Sequence, residues 1–354
     1  MRTALASETA DLPVSSGPGR ALLVPLLVLA TVVLALAGLG LGPVAISPAE
    51  MLAVLTGHGS PAHEAILLQI RAPRVVLALA AGTSLALSGA TLQGVLRNPL
   101  ADPGLIGVTA GAALGAVSVI VLMGGARGIP AGLAPYLLPL GAFAGAGAVT
   151  AFVFLAARNR AGTSVATLIL AGVAVNAIAF AGIGGLIYVS DDVALRTLSL
   201  WQMGSLGGAG WPVALVALGV SALAATRFLP LAGALDLFQL GERAAFHAGL
   251  DVERAKFRAG LWTALATGAA TAAAGPIGFI GLVAPHLARL MCGPGHRAVL
   301  PVSALTGTAL LMLADLATRL AIPPAEPPIG LATSLIGGPF FLWLLLRRRG
   351  GLHG

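Results

Sequence analysis

Residues 21–42 read ALLVPLLVLATVVLALAGLGLG, an unbroken run without a single charge. Coiled as an α-helix, about 22 residues reach roughly 33 Å, enough to cross a hydrocarbon core of about 30 Å. The run is apolar on every face, so no side of such a helix suits water. A transmembrane β-strand would alternate apolar and polar positions. A secretory leader would have an apolar core of only about 7–15 residues. The stretch is therefore read as a first membrane span. The rest of the chain has the same character. Of 354 residues, 57% are hydrophobic and 9% charged, and the mean hydropathy is +0.96. A soluble domain carries about 25% charged residues to cover its core. A cytosolic enzyme, a secreted domain and a nucleic-acid-binding protein are excluded, despite a net charge of +7. The single cysteine, Cys292, leaves no disulfide framework and no cysteine-rich metal site.

Further spans are predicted at residues 71–94, 105–124, 131–157, 164–188, 211–229, 257–274, 278–292, 300–320 and 329–346. With the first, they make an all-α, polytopic membrane protein of about ten transmembrane helices. One helix over residues 257–292 would run about 54 Å, and Gly275-Pro276 breaks it, because proline lacks a donor and clashes with the preceding turn. Residues 1–20 read as a tail, 21–349 as one transmembrane domain with a polar loop at 230–256, and 350–354 as a second tail. The 48 glycines predict close backbone contacts of the small-xxx-small kind.

Lysine and arginine set the orientation. With both termini inside, 15 of the 20 basic residues face the cytoplasm, among them Arg2, Arg20, Arg97, Arg158, Arg160, Arg227, Arg243, Lys256 and Arg289. Arg127 and Arg196 fall in outer loops, whereas Arg71, Arg74 and Arg319 sit at the outer ends of spans, against the rule. Two readings suit these three: side chains snorkelling to lipid phosphates, or a basic rim that receives an acidic partner.

No catalytic constellation is present: no HExxH, no paired carboxylates, no nucleophile beside a base, and no phosphate-binding Walker sequence. His58 and His63 share an outer loop, where lone histidines are more often surface residues than metal or haem ligands. Within the loop at 230–256, Glu242–Ala248 reads as a short amphipathic helix stopped by Gly249. It is either a knob for a partner protein or a solvated loop helix. The stretch Leu96–Gly104 is stiffened by Pro99 and Pro103, and Thr163 or Ser164 is placed to cap the helix after the next turn on that side. Each is a structural turn or part of a gate. Asp315 and Arg319, four apart, share a helix face and can pair. Asn176 either lines a pathway or bonds a neighbouring helix. An ion-coupled secondary transporter, the rival class, usually shows intramembrane carboxylates or histidine relays, and Asp315 is the one candidate here.

Several blocks resemble the permease subunits of ABC importers for iron-siderophores, haem and cobalamin. They are Arg71-Ala-Pro-Arg74, Ser88-Gly-Ala-Thr-Leu-Gln93, Asn98-Pro-Leu-Ala-Asp-Pro-Gly-Leu-Ile-Gly107 and Leu170-Ala-Gly-Val173. They continue with Gly275-Pro-Ile-Gly-Phe-Ile-Gly-Leu-Val-Ala-Pro-His-Leu-Ala-Arg289, His296-Arg297, Ala314-Asp315, Arg319 and Ala325-Glu-Pro-Pro-Ile-Gly330. The resemblance implies a type II importer permease in the bacterial inner membrane, paired with a second copy of itself. Two ATPase subunits clasp it on the cytoplasmic side, and a periplasmic substrate-binding protein docks outside. No cofactor is implied on this chain: ATP and Mg belong to the ATPase, and haem or an iron chelate is cargo. Gly241, Glu242, Arg243, Ala244, Phe246, His247, Gly249 and Leu250 then form the coupling helix received by the ATPase. Asn98, Pro99, Leu100, Thr163 and Ser164 form the cytoplasmic gates, and Arg71, Arg74 and Arg319 receive acidic residues of the binding protein. The segment Leu195–Gly208 looks most like haem-importing members, with siderophore and cobalamin permeases close behind. Among histidines only His286 lies inside a predicted span, a departure from strong haem ligation.

Overall fold

The computed structural model describes residues 18–123, 132–159, 162–323 and 325–350. The expectations for residues 1–17, Arg127, Arg160 and residues 351–354 lie outside them. The helices begin with α1 (Pro18–Gly40), α2 (Pro48–Leu55), α3 (Pro61–Glu64), α4 (Ala72–Val95) and α5 (Val108–Met123). They continue with α6 (Ala134–Ala157), α7 (Val165–Tyr188), α8 (Asp192–Gln202), α9 (Trp211–Phe228) and α10 (Ala232–Gln239). The last are α11 (Glu242–His247), α12 (Val252–Ala274), α13 (Ile280–Cys292), α14 (His296–Ala321) and α15 (Ile329–Gly350). A two-residue hairpin, β1 (Arg158–Asn159) and β2 (Gly162–Thr163), joins α6 to α7 with Arg158 opposite Thr163.

Each of the ten predicted spans coincides with a helix. Among the described residues six helical stretches are long and apolar enough to cross a membrane, and α5, α13 and part of α15 are shorter apolar helices. The remaining span is α12, whose first turns are charged. Both tail boundaries differ from expectation. Helix α1 already begins at Pro18, taking in the end of the expected tail, and Gly350 still belongs to α15. Helices α2, α3, α8 and α10 fill stretches read as loops, and a π-helical turn over Ala65–Arg71 leads into α4.

Local chemistry explains the ends. Ser47 and Glu50 form a reciprocal capping box on α2, and Pro48 and Pro61 stand in first turns, where a missing N–H costs nothing. Helix α12 stops at Ala274 because Gly275 turns to φ +72°, so the predicted break is real, and α13 resumes at Ile280. Phe279, at φ +68°, carries the strain of that re-entry.

Helix α4 is the axis of the bundle, buried along most of its length and packed on α9, α12, α13 and α14. Leu77 and Leu87 of α4, Phe228 of α9, Phe238 of α10, and Leu300 and Leu311 of α14 are fully enclosed. Lipid offers no hydrophobic force to press such helices together, so approach distance decides their association. Helices α5 and α6 meet through two reciprocal small-xxx-small pairs. A Cβ on Gly115 would lie 2.0 Å from the Gly141 carbonyl oxygen, and one on Gly145 would lie 2.2 Å from that of Gly111. The glycine count thus becomes specific contacts.

Candidate functional site

The chemistry-bearing residues gather at the two ends of the bundle. At one end, α10 and α11 lie beneath α4, α12 and α14. Asp236 of α10 accepts from the His296 backbone N–H at 2.9 Å and lies 2.6 Å from His296 Nδ1, capping α14. Gln239 donates to the Gly94 carbonyl at the end of α4 at 3.1 Å. Helix α11 follows, bounded by Gly241 at φ +100° and Gly249 at φ +90°, conformations that L side chains rarely adopt. The expected helix is therefore present, one residue shorter, with Ala248 at its C-cap. Ala245 is its buried anchor, while Arg243, Ala244, His247 and Phe246, the last 67% exposed, face outward. An open groove runs beside them, lined by Glu242, Phe246, His247, Leu250 and Glu253.

The predicted gate residues sit on the same end. Arg97 takes φ +50°, and Asn98 Oδ1 then accepts the Leu100 N–H at 2.9 Å, a closed turn that leaves Pro99 and Leu100 exposed. Asp102 Oδ1 caps the next short turn through the Gly104 N–H at 2.8 Å. Asn176 donates to the Gly104 carbonyl at 3.0 Å, so it bonds the neighbouring element, one of its two expected roles. Ser164 caps α7 by accepting the Thr167 N–H.

Thr163 is held from α12. Its N–H and its hydroxyl both donate to Glu253 Oε2, at 2.8 and 2.7 Å, and its carbonyl accepts from Lys256 Nζ at 2.7 Å. Burial raises the Glu253 pKa, but the Thr163 donors and the Lys256 charge outweigh it, so the carboxyl stays below its ordinary value. A depressed carboxylate contributes its stabilisation above the ordinary range of about 4.3 and loses it as pH falls through the native value. Hydrogen-exchange protection of the Thr163 amide, corrected for intrinsic rate, is expected to hold at neutral pH and collapse in acid. Protection unchanged in acid contradicts this anchoring.

The other end carries the three arginines, whose side chains are enclosed within the bundle rather than spread over an open surface. Arg71, Arg74 and Arg319 are 5%, 6% and 2% exposed. Arg71 donates to the carbonyls of Leu39 at 2.7 Å, Gly40 at 2.9 Å and Val44. Arg319 donates to those of Gly38 at 2.9 Å and Leu41 at 3.2 Å. The last carbonyls of α1 have no partner within their own helix, and cations satisfy them there. Asp315 lies between the other pair, with Oδ1 2.7 Å from Arg74 Nε and Oδ2 3.1 Å from Arg319 Nη2. Arg74 also reaches Glu326 at 2.5 Å. The Asp315–Arg319 pair expected from spacing is present, and Asp315 is a satisfied counter-ion. Neither snorkelling nor a docking rim had included α1.

His58 and His63 lie near this end, with His63 Nδ1 3.8 Å from Glu50 Oε1. Among the described residues no three His, Cys, Asp or Glu side chains gather as a metal site.

Residues 28–347 match the FecCD transport family, nearly the whole of the described bundle. The chain belongs to this family. It is 49% identical over 284 residues to the hemin transport system permease protein of Yersinia pestis, covering 80% of this chain and 84% of that one. It is 42% identical over 289 residues to the cobalamin import system permease protein of Halobacterium salinarum, covering 80% and 74%. A solved ABC transporter assigned to the metal-chelate type, in an inward-facing conformation, superposes with a TM-score of 0.81 at 31% identity, covering 92% of this chain and 98% of that one. As a FecCD permease, the chain is the non-catalytic membrane component of an ABC importer, a role that implies an ATPase and a binding protein as partners. The secondary-transporter alternative is set aside.

Proposed function

We propose that this FecCD permease carries haem, or a related iron chelate, inward across a bacterial inner membrane. The observation that carries the cargo reading is the 49% identity to a hemin permease along 84% of that protein's length. In this reading the permease works as a pair of identical copies, clasped by two ATPase subunits at the α11 end, which faces the cytoplasm together with both termini. Helix α11 suits reception by the ATPase: two glycines free its ends, Ala245 anchors it, and Phe246 projects. ATP closes the ATPase pair, the α11 helices are displaced, and the turns at Asn98–Leu100 and Thr163–Ser164 open or shut the inner side of the pathway. The binding protein docks at the arginine end. There Arg71, Arg74 and Arg319 shape the docking surface by tying α1, α4 and α14 together, and Glu326, with a side chain 38% exposed, reaches it.

A reconstituted complex carrying Glu242→Ala with Gly249→Val is expected to lose ATP-coupled uptake, because valine at φ +90° distorts the end of α11. Unchanged uptake would sink the coupling assignment. A panel of haem, cobalamin and ferric siderophores, each with its cognate binding protein, tests the cargo. Preferential uptake of cobalamin or a siderophore overturns the haem reading and leaves the permease assignment standing.

A further inference from the structure

Lys256 is 4% exposed and ends the 230–256 loop, outside the residues expected to form the coupling helix or the gates. Its ammonium has three donors and no acceptor, and each donor is directed at a different element or turn. One goes to Glu242 Oε2 of α11 at 2.7 Å, one to the Thr163 carbonyl of β2 at 2.7 Å, and one toward Glu253 Oε1 of α12 at 3.5 Å. Lys256 and Thr163 also line one small cleft with Leu96, the residue before the Arg97–Leu100 turn, and with Val165 and Leu168 of α7. Burying an ammonium is costly unless it is paired and hydrogen-bonded. This one faces two carboxylates and a backbone carbonyl from three different segments.

The covalent route out of α11 is soft by comparison. Both flanking residues are glycines at positive φ, and a Cβ on Gly249 would meet nothing within 4 Å. Motion of α11 relative to α12 can be absorbed there. The Glu242–Lys256–Thr163 chain bridges α11 directly to β2, and Ser164, the cap of α7, is the next residue.

We propose that Lys256 is the positioning residue that transmits displacement of α11 to the Thr163 turn and the start of α7. The proposal rests on the reading of α11 as the element the ATPase moves. Removing the donors of the lysine uncouples the two elements while the ATPase still works on α11.

The test is hydrogen exchange, read by mass spectrometry, of the full complex with its ATPase in lipid nanodiscs, with and without ATP and vanadate. This readout does not depend on the cargo. In the unaltered complex, ATP is expected to change exchange in both the α11 peptide and the peptide spanning Thr163 to the first turn of α7. Lys256→Met keeps the apolar stem in its cleft and removes the donors. In this variant the α11 response is expected to persist while the α7 response falls by about tenfold, the scale of an ordinary coupling between sites. Lys256→Arg, which keeps donors in reach, recovers part of it. A merely structural lysine would alter basal protection or stability and leave the ATP-dependent difference at α7 intact, and that result overturns the proposal. If α11 responds in the unaltered complex but the start of α7 does not, the proposal alone falls. If α11 itself ignores ATP, the coupling reading falls with it.

Discussion

Asp315→Ala is expected to be among the most damaging single substitutions in this protein, at a cost of about 3–5 kcal/mol. The carboxylate is 4% exposed and is the shared counter-ion of Arg74 and Arg319, whose side chains are 7% and 3% exposed. Removing it leaves two guanidiniums packed together without the charge between them. Glu326 holds Arg74 from the outer side and does not reach Arg319 in a direct ion pair. The arginines in turn hold α1, since Arg319 donates to Gly38 and Leu41. The expected result is a large drop in the thermal midpoint of the purified permease, with α1 loosening first. Asp315→Leu combined with Arg319→Met is expected to be milder, because replacing buried ions by apolar groups of similar volume is often near neutral. A midpoint unmoved by Asp315→Ala would show that the network contributes nothing to stability.

Gly115→Val is the second. A Cβ on Gly115 would stand 2.0 Å from the Gly141 carbonyl oxygen, 2.8 Å from that residue's carbonyl carbon, and 3.2 Å from the Gly145 Cα. Every one of those atoms is backbone, so no rotamer change relieves the clash. Overpacking a core ordinarily costs about 1–3 kcal/mol. Here the two helices must separate, which forfeits the close van der Waals packing that holds membrane helices together. The effect is expected to lie at or beyond the top of that range. Gly147→Ala on α6 is the control, since a Cβ there meets nothing within 4 Å. Fluorescence-detected size exclusion compares the two: the first is expected to lose the monodisperse peak and the second to keep it. Equal behaviour would remove close approach as the reason for these glycines.

What could be read from the chain was whatever is local. The apolar runs gave ten helices near their expected places, Gly275-Pro276 broke α12 from α13, and a four-residue spacing paired Asp315 with Arg319. Gly249 likewise marked the end of α11, because backbone freedom belongs to the residue itself. The shorter helices α8 and α10 carry no apolar run of span length, so the pattern that marks the spans does not mark them, although Asp191 at the start of α8 is an ordinary cap.

Partnerships between distant residues were not legible. Arg74 and Asp315 are 241 residues apart, and Lys256 and Thr163 are 93 apart. No periodicity connects such pairs. The three arginines illustrate the difference. Their charge and their place at span ends were visible in the sequence, and both suggested groups reaching outward. Only the packed bundle shows unpaired carbonyls of α1 and the Asp315 carboxylate lying within their reach, which turns them inward. The sequence by itself determined that this is a polytopic helical membrane protein, because the bilayer reads only the length and polarity of each run, and its motif blocks carried the resemblance to importer permeases. The tertiary structure decided which polar groups meet inside it, because a buried charge takes its partner from whatever helix packing brings within hydrogen-bond distance.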